Sequence, residues 1–438
     1  MFFRFFWAFL YCIQCSFLIF IRLASLFNKQ LGELYILRSD FENRRTKDEE
    51  ILSNRFKYHV FHVSSEGEFS QIFPLMDQLV QKSYPVLLLY TSPSLEKRAN
   101  NYKAKCGDNF YLRPIIFTVS DFEFLFRVPL HSLTMCRYDF LPWLMILGNK
   151  AAQFNLLNAT SIRWRRMGEV ARFFRSCFYS QFNLISTSSR IDEKVFKDLV
   201  LYNEIININL RVLEVEKRQN DFLNSSFYLN SSILFESIKQ NKNSICIGSS
   251  WLPELKIFRN SRLIQYINSY NPFVFIFPHS FHPKILNGMY AEIAQSNLQL
   301  LIVEKYSDFD LVKPGIICVV LIKGLLCELY PFFTNVIVGG GFGVGVHSVL
   351  EPMCGSCHTI VGPNVGKSTE VEDYRERFSN LINICQTPNE VADKLLINIS
   401  EEMLNVSCES TNFKSLPIHK KDKLTESFNY LVRKYEIK

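Results

Sequence analysis

Residues 336–351 read VIVGGGFGVGVHSVLE, and no other stretch limits the possible folds as strongly. An apolar run enters five glycines, Gly339, Gly340, Gly341, Gly343 and Gly345, and a short helical pattern follows. A continuous apolar run of this kind suits a strand covered on both faces. Glycines at its end allow positive φ and let a ligand approach the backbone closely. A helix start beyond them offers N–H groups and the positive end of a dipole, which suits a phosphate. The expectation is an α/β sheet with a phosphate or nucleotide site at the carboxyl end of one strand. The G-x-G-x-x-G spacing of a dinucleotide fingerprint does not sit cleanly on this loop, which also lies late in the chain.

The rest of the chain supports that class. A strand is expected at Tyr58–Val63, then a turn, SSEGE, then a helical stripe at Phe69, Ile72, Phe73, Met76, Leu79 and Val80, then a strand at Val86–Tyr90. Such β-α-β units build parallel sheets. Residues 150–180 read as helical and 183–187 as a strand. A second α/β stretch follows the Asn/Ser-rich segment 220–243, with strands at 244–248, 273–277, 298–303, 316–320, Asn335–Val338 and 359–361 and a helix near 324–332. The last 50 or so residues read as helices. With 438 residues, two large domains fit comfortably. The boundaries drawn are a linker at 28–57, an N-terminal domain at 58–206 and a C-terminal domain at 207–438.

Residues 1–27 read MFFRFFWAFLYCIQCSFLIFIRLASLF. The 17 residues between Arg4 and Arg22 would span roughly 26 Å as a helix, a short membrane crossing. Arg22, Lys29, Arg38, Arg44, Arg45 and Lys47 follow it, so the positive-inside rule places the body in the cytoplasm. A helix lying in the inner leaflet fits too, and a cleaved signal peptide competes but lacks a good small-residue cleavage pattern. Apolar residues at 48% and charged residues at 21% exclude a disordered or collagen-like chain. The net charge of +7 is too diffuse to argue for nucleic acid, but suits an anionic membrane or a phosphate-bearing ligand. Twelve scattered cysteines form no dense framework, so reduced thiols are expected.

Three further motifs carry chemistry on paper. Glu68, where a strand gives way to a helix, is either a helix-capping residue or a general base. Glu66 beside it reads as a solvated loop residue. GPNVGKST at 362–369 resembles a phosphate-binding P-loop but is one residue short, because position 361 is Val. CGSCH, Cys354 to His358, matches a c-type haem attachment pattern, at odds with a cytoplasmic body.

Taken in order, several pieces resemble the Kdo (3-deoxy-D-manno-octulosonic acid) transferases of lipid A assembly. They are ASLFNK, FHVSSEGEFSQIFPLMDQL, CRYDFLPWL at 136–144, NLR at 209–211, GSSW at 248–251, PH at 278–279, and KGLLCELY followed by VIVGGGFGVGVHSVLE and VGPN. The similarity runs from about residue 20 to 385, and the SxGE and GGGFGxGxH…LE blocks are its specific parts. The resemblance implies a GT-B architecture, two Rossmann-like α/β domains facing a cleft, behind an N-terminal membrane-anchor helix. It implies transfer of Kdo from CMP-Kdo to a lipid A precursor with inversion, at the cytoplasmic side of the inner membrane, with no cofactor, metal or nucleic acid.

By motif, the resemblance makes Glu68 the base on the acceptor hydroxyl, with acceptor binding in the N-terminal domain. It puts His347 and Glu351 on CMP, the 339–345 loop and Arg211 near its phosphate, and Ser249, Ser250 and His279 in the same cleft. The sequence departs from the family pattern at Glu66, at Asp139 in the acceptor or structural block, at Ser348 after the loop histidine, at Pro352 and Met353, and over 365–369. Two other readings stand beside this one: a GT-B transferase for another nucleotide sugar, and a decayed, membrane-anchored binding remnant.

Overall fold

The computed structural model describes residues 23–29, 31–33, 36, 46–54, 56–115, 119–137, 142–162, 167–366, 368–405 and 421–436. Residues 1–22, most of the expected anchor, lie outside this set, as do Asp139 and Lys367. No described helix is long and apolar enough to cross a membrane. The chain divides into two units, residues 1–211 with 423–438, and residues 212–422.

Unit one holds β1 Tyr58–Val63, β2 Val86–Tyr90, β3 Phe110–Pro114, β4 Leu130–Cys136, β5 Gln153–Ala159, β6 Leu184–Thr187 and β7 Glu204–Asn207. They form a seven-stranded sheet in the order β3-β2-β1-β4-β5-β6-β7, parallel throughout. The order reverses between β1 and β4, so loops leaving those two strands diverge to opposite sides of the sheet and leave room at their carboxyl ends. β1, β2 and β3 are buried along their whole length, as apolar strands covered by helices on both faces must be. The helix Glu66–Gln81 follows β1, capped by Ser65, whose hydroxyl accepts from the Glu68 N–H. Its buried stripe is Phe69, Ile72, Leu75, Met76, Leu79 and Val80. Leu75 takes the inward place expected of Phe73.

Unit two holds β8 Ile245–Ser250, β9 Val274–Pro278, β10 Leu300–Val303, β11 Ile317–Val320, β12 Asn335–Val338, β13 His358–Val361 and β14 Ile382–Ile384. Its order is β10-β11-β9-β8-β12-β13-β14, again all parallel, with the reversal between β8 and β12. Val338 is level with Gly248 across that pair, so Gly339 leaves β12 beside Ser249 of β8.

Three differences from the sequence reading have physical causes. Residues 153–159 form a buried central strand, not a helix; a short segment that mixes apolar and amide side chains carries no period that separates the two. The expected linker contains the helix Thr46–Ser53, held by buried Ile51 and by pairing of Asp48 with Arg113, which also meets Asp121 at 3.2 Å. The helix Lys421–Tyr435, drawn into the second domain, returns to unit one. There the Tyr435 hydroxyl meets Thr134 Oγ1 at 2.8 Å and its ring stacks on Phe61.

Candidate active site

In unit one the candidate base sits at the β1/β4 switch point. Glu68 is 6% exposed and lies in the first turn after β1. Its Oε2 accepts from the Ser64 N–H at 2.7 Å and the Ser64 hydroxyl at 2.8 Å. Across the gap, Cys136 at the end of β4 points its thiol at the Glu68 carbonyl, 3.9 Å away. The carboxylate is therefore oriented by the SSEGE turn itself, while Ser65 performs the capping. Glu66 is on the surface, 3.8 Å from Arg98.

In unit two the glycine loop occupies the β8/β12 switch point, and most of its hydrogen bonds are spent inside the protein. The N–H groups of Gly339, Gly343 and Gly345 donate to Gly248 O, Gly340 O and Gly340 O at 2.8, 3.0 and 2.9 Å. The Gly340 N–H donates to Glu254 Oε1 at 2.9 Å. These four N–H groups therefore have acceptors within the protein itself. The glycines serve close packing. A Cβ on Gly339 would lie 2.2 Å from Ser249 O, and one on Gly341 would lie 2.5 Å from Gly362 N. Gly340 combines a φ of +87° with a would-be Cβ 2.3 Å from Gly345 O. Gly343 alone among these four faces open space. The helix that follows, Leu350–Cys354, is a single short turn beginning after Val349, too brief for a strong dipole.

Beyond the loop, three rings gather. His279 stacks on Trp251 at 4.7 Å and on His347 at 4.3 Å between centroids. Trp251 Nε1 donates to His347 Nε2 at 3.2 Å. An indole can only donate, so Nε2 is the acceptor and His347 carries its proton on Nδ1. Burial depresses the pKa of His279; burial and the neighbouring His279 depress that of His347. Both rings are neutral at neutral pH. Beside the stack lies a cavity of about 390 Å³ at the ends of β8, β9 and β11, lined in part by Ser249, His279, Phe281, Ile322, Lys323 and Gly324. Ser249 reaches it from a left-handed conformation, φ 50°.

The remaining expected residues fall into place unevenly. Ser250 is buried, its hydroxyl donating to Phe277 O at 3.3 Å, which makes it a brace between β8 and β9. Arg211 stands in the first turn of the helix Leu210–Leu223, which carries the chain from one unit to the other. Glu351 is half-buried in the first turn of Leu350–Cys354. Ser348 has a buried hydroxyl with no hydrogen-bond partner among the described residues.

Four residues of this region were not singled out from sequence. Trp251 and Lys323 lay inside motifs already noticed, GSSW and KGLLCELY. Glu254 is 1% exposed and accepts from Trp251 N and Gly340 N; burial raises its pKa, and those N–H groups oppose the rise. Arg218 binds Glu328 Oε1 at 2.7 Å and Gly324 O at 3.1 Å, fixing the turn that presents Lys323.

The two competing motifs dissolve here. Asn364 of the P-loop lookalike is stitched to the glycine loop, its N–H on Gly341 O at 2.9 Å and its amide on Gly343 O at 3.0 Å. Cys357 of CGSCH is fully buried, its thiol on Tyr330 O. No cluster able to hold a metal occurs among the described residues.

Two parallel-sheet α/β units, each with its candidate residues at the switch point, define the domain pair of a GT-B glycosyltransferase fold. Solved structures with this fold include the UDP-GlcNAc 2-epimerases of Methanocaldococcus jannaschii and Neisseria meningitidis. The first superposes with a TM-score of 0.57 over 86% of this chain and 100% of its own, at 12% identity. The second, bound to UDP-GlcNAc, gives 0.53 over 86% and 94%, at 10% identity. Among curated proteins, the chain is similar to the 3-deoxy-D-manno-octulosonic acid transferase of Aquifex aeolicus, 25% identical over 324 residues, covering 72% of this chain and 79% of that one. The resemblance to the Kdo transferases thus extends well beyond the motifs. No protein-family model matches the chain.

Proposed function

We propose that this chain transfers Kdo from CMP-Kdo to a lipid A precursor of the lipid IVA type, with inversion, in the assembly of the lipopolysaccharide core. The observation that carries the reading is Glu68: a buried carboxylate held by Ser64 at the carboxyl end of a parallel sheet, in a chain whose second sheet carries a glycine loop at the equivalent position. The similarity to a named Kdo transferase supports the identity of the sugar.

In this mechanism Glu68 takes the proton from the acceptor hydroxyl. The acceptor oxygen attacks the anomeric carbon of Kdo from the face opposite CMP. The bond from that carbon to the phosphate oxygen breaks, and CMP departs with the electron pair. One displacement inverts the centre, and the proton remains on Glu68. Arg211 and Lys323 supply positive charge for the leaving phosphate, His347 donates from Nδ1, and Glu351 accepts from ribose hydroxyls. The reading involves no metal, the positive charge for the leaving phosphate coming from these side chains. A lipid acceptor also accounts for an apolar amino terminus, and in this reading the basic residues that follow it, Arg22 to Lys47, keep the catalytic body on the cytoplasmic side of the inner membrane.

The test is direct. Purified full-length protein receives CMP-Kdo generated in situ and a lipid IVA-type acceptor, with and without EDTA, and the product is weighed by mass spectrometry. A mass increase of one or more Kdo units, insensitive to EDTA, is expected. Transfer only from another nucleotide sugar would move the activity elsewhere within the class. CMP binding without turnover would mark a remnant.

A further inference from the structure

We propose that Asn158, at the carboxyl end of β5, is a positioning residue that seats the helical turn carrying Glu68. The proposal deepens the transferase reading and rests on Glu68 being the base in it.

The need for such a residue lies in the helix itself. Glu66–Gln81 has Pro74 in its interior. Proline has no N–H, so Ser70 O loses the donor that position 74 would give it, and the ring crowds that carbonyl. The front of the helix, 66–73, is therefore joined less firmly to the part that follows. Glu68 stands in that front part. Reacting groups tolerate little displacement, since a shift of about 1 Å can cost about 10²-fold in rate. The front turns have to be fixed from outside the helix.

The neighbouring strand ends supply the fixing. At the end of β4, the Cys136 thiol lies 3.6 Å from Gln71 Oε1 as well as 3.9 Å from the Glu68 carbonyl, and a thiol is a weak donor. The amide one strand further on is a better one. Asn158 Nδ2 donates to Gln71 O at 3.2 Å. Gln71 is the next turn after Glu68, and both are buried.

Asn158 can reach that carbonyl because β5 is bulged. Leu156 is level with Ile185 of β6, but Ala159 is level with Thr187, so β5 holds one residue more than β6 over this stretch. Such an extra residue re-aims a side chain, often beside an active site. Asn158 lies inside the bulge in the left-handed region, φ 52°, which asparagine enters with less penalty than most residues. Its N–H is tied to Ser186 Oγ of β6 at 3.0 Å. The side chain is buried, and its Oδ1 has no partner among the described residues. Left-handed backbone and an unmet buried oxygen both weigh against stability. The side-chain bond that this arrangement secures runs to the turn bearing Glu68.

Asn158→Gly tests the proposal, because glycine accepts φ 52° and leaves no buried oxygen unmet while deleting the donor. In the full chain without substrate, hydrogen exchange over overlapping peptides should show amides of 69–73 exchanging about fivefold faster, the factor one hydrogen bond contributes, with 75–81 unchanged. The melting temperature should stay within about 3 °C of the parent. With CMP-Kdo and a lipid IVA-type acceptor, kcat should fall about tenfold to a hundredfold while KM for CMP-Kdo stays within about twofold. Ser186→Ala removes the acceptor of the Asn158 N–H and should give the same pattern in smaller measure; it serves if the glycine variant fails to fold. Unchanged exchange at 69–73 overturns the proposal. So does faster exchange with unchanged kcat, which would leave Asn158 a structural brace. A parent that transfers no Kdo refutes the base reading instead, and the exchange data then judge by themselves whether Asn158 seats the turn.

Discussion

Replacing Gly340 by Ala should unfasten the glycine loop, whereas the same change at Gly343 should leave it intact. Gly340 has φ +87°, where a Cβ costs about 1–2 kcal/mol. That Cβ would also lie 2.3 Å from the Gly345 carbonyl, a backbone atom that cannot swing away. Relief requires opening the bonds from Gly345 N to Gly340 O and from His347 N to Gly339 O, each contributing about 1 kcal/mol. Together these give roughly 3–4 kcal/mol. For a unit of this size 1 kcal/mol moves the melting temperature about 2–4 °C, so unit two should melt roughly 6–15 °C lower. Gly343 has no positive φ and nothing within 4 Å of its would-be Cβ, so Ala there should shift stability by less than about 0.5 kcal/mol. Scanning calorimetry of the full chain reads both, and titration calorimetry with CMP reads the site. Gly343→Val should keep the melting temperature yet weaken CMP binding, since its side chain would fill the space a ligand would enter. An unchanged melting temperature in Gly340→Ala would refute the loop geometry. Unchanged CMP affinity in Gly343→Val would refute the loop as the nucleotide contact.

Glu68→Gln should retain the fold and CMP binding but lose about 10²–10⁴-fold in turnover; transfer within about threefold of the parent would reduce Glu68 to a structural residue. Glu254→Gln should leave a loop N–H facing an amide donor and cost about 1–3 kcal/mol, with CMP affinity falling in parallel; calorimetry that finds neither effect would remove Glu254 from the loop's support. Unit one should be acid-labile. Burial lowers the pKa of His59 to about 3, with His131 adding to the shift, and burial lowers that of His62 to about 3, against 6.5 for the ordinary side chain. Both shifts are downward, so the unfolded chain binds more protons and stability falls as pH drops below about 6.5, with about 4 kcal/mol lost from the pair by pH 5. Urea midpoints that are flat between pH 7 and pH 5 would contradict this.

How far the sequence could be read depended on what each segment had beside it. Tyr58–Val63, Val86–Tyr90 and Asn335–Val338 have the bounds expected of them, because each is an apolar run with a clear turn at one end or both. β3, β4, β5, β7 and β14 were missed. β7 and β14 are short edge strands of ordinary polarity, and their pairing is set by the neighbouring strand. β4 opens LHS and β5 carries Gln153 and Asn155, polar residues that a central strand tolerates only once partners exist; Ser132 meets His59 Nδ1 at 2.9 Å.

The same limit applies at the site. Ser249, His279 and His347 were named from motifs, and the structure brings them to one place. That Glu254 would turn inward to hold the glycine loop depends on register between β8 and β12, which no local pattern states. The glycines themselves were legible as a demand for close approach. That the approaching atoms are Ser249, Gly345 and Gly362, rather than a ligand, was not.

The departures from the Kdo transferase pattern weigh differently once placed on the fold. Glu66 replaces an apolar residue at a position that is largely exposed and near Arg98, so a carboxylate there costs the core nothing. Pro352 falls in the first turn of Leu350–Cys354, where a helix N–H has no intrahelical acceptor to lose, and the Pro352 carbonyl still accepts from Cys357 N at 3.1 Å. Neither change disturbs the parts that position Glu68, His347 or Glu351. Ser348 is different. It follows the ring stack directly, and its hydroxyl is buried with no partner among the described residues, an arrangement that costs about 1–3 kcal/mol when left unmet. A longer amide side chain at that position could reach acceptors a hydroxyl cannot. The structural argument for a weakened donor site therefore rests on Ser348 alone among these three. It is an argument about affinity for CMP, not about the base that would perform the transfer.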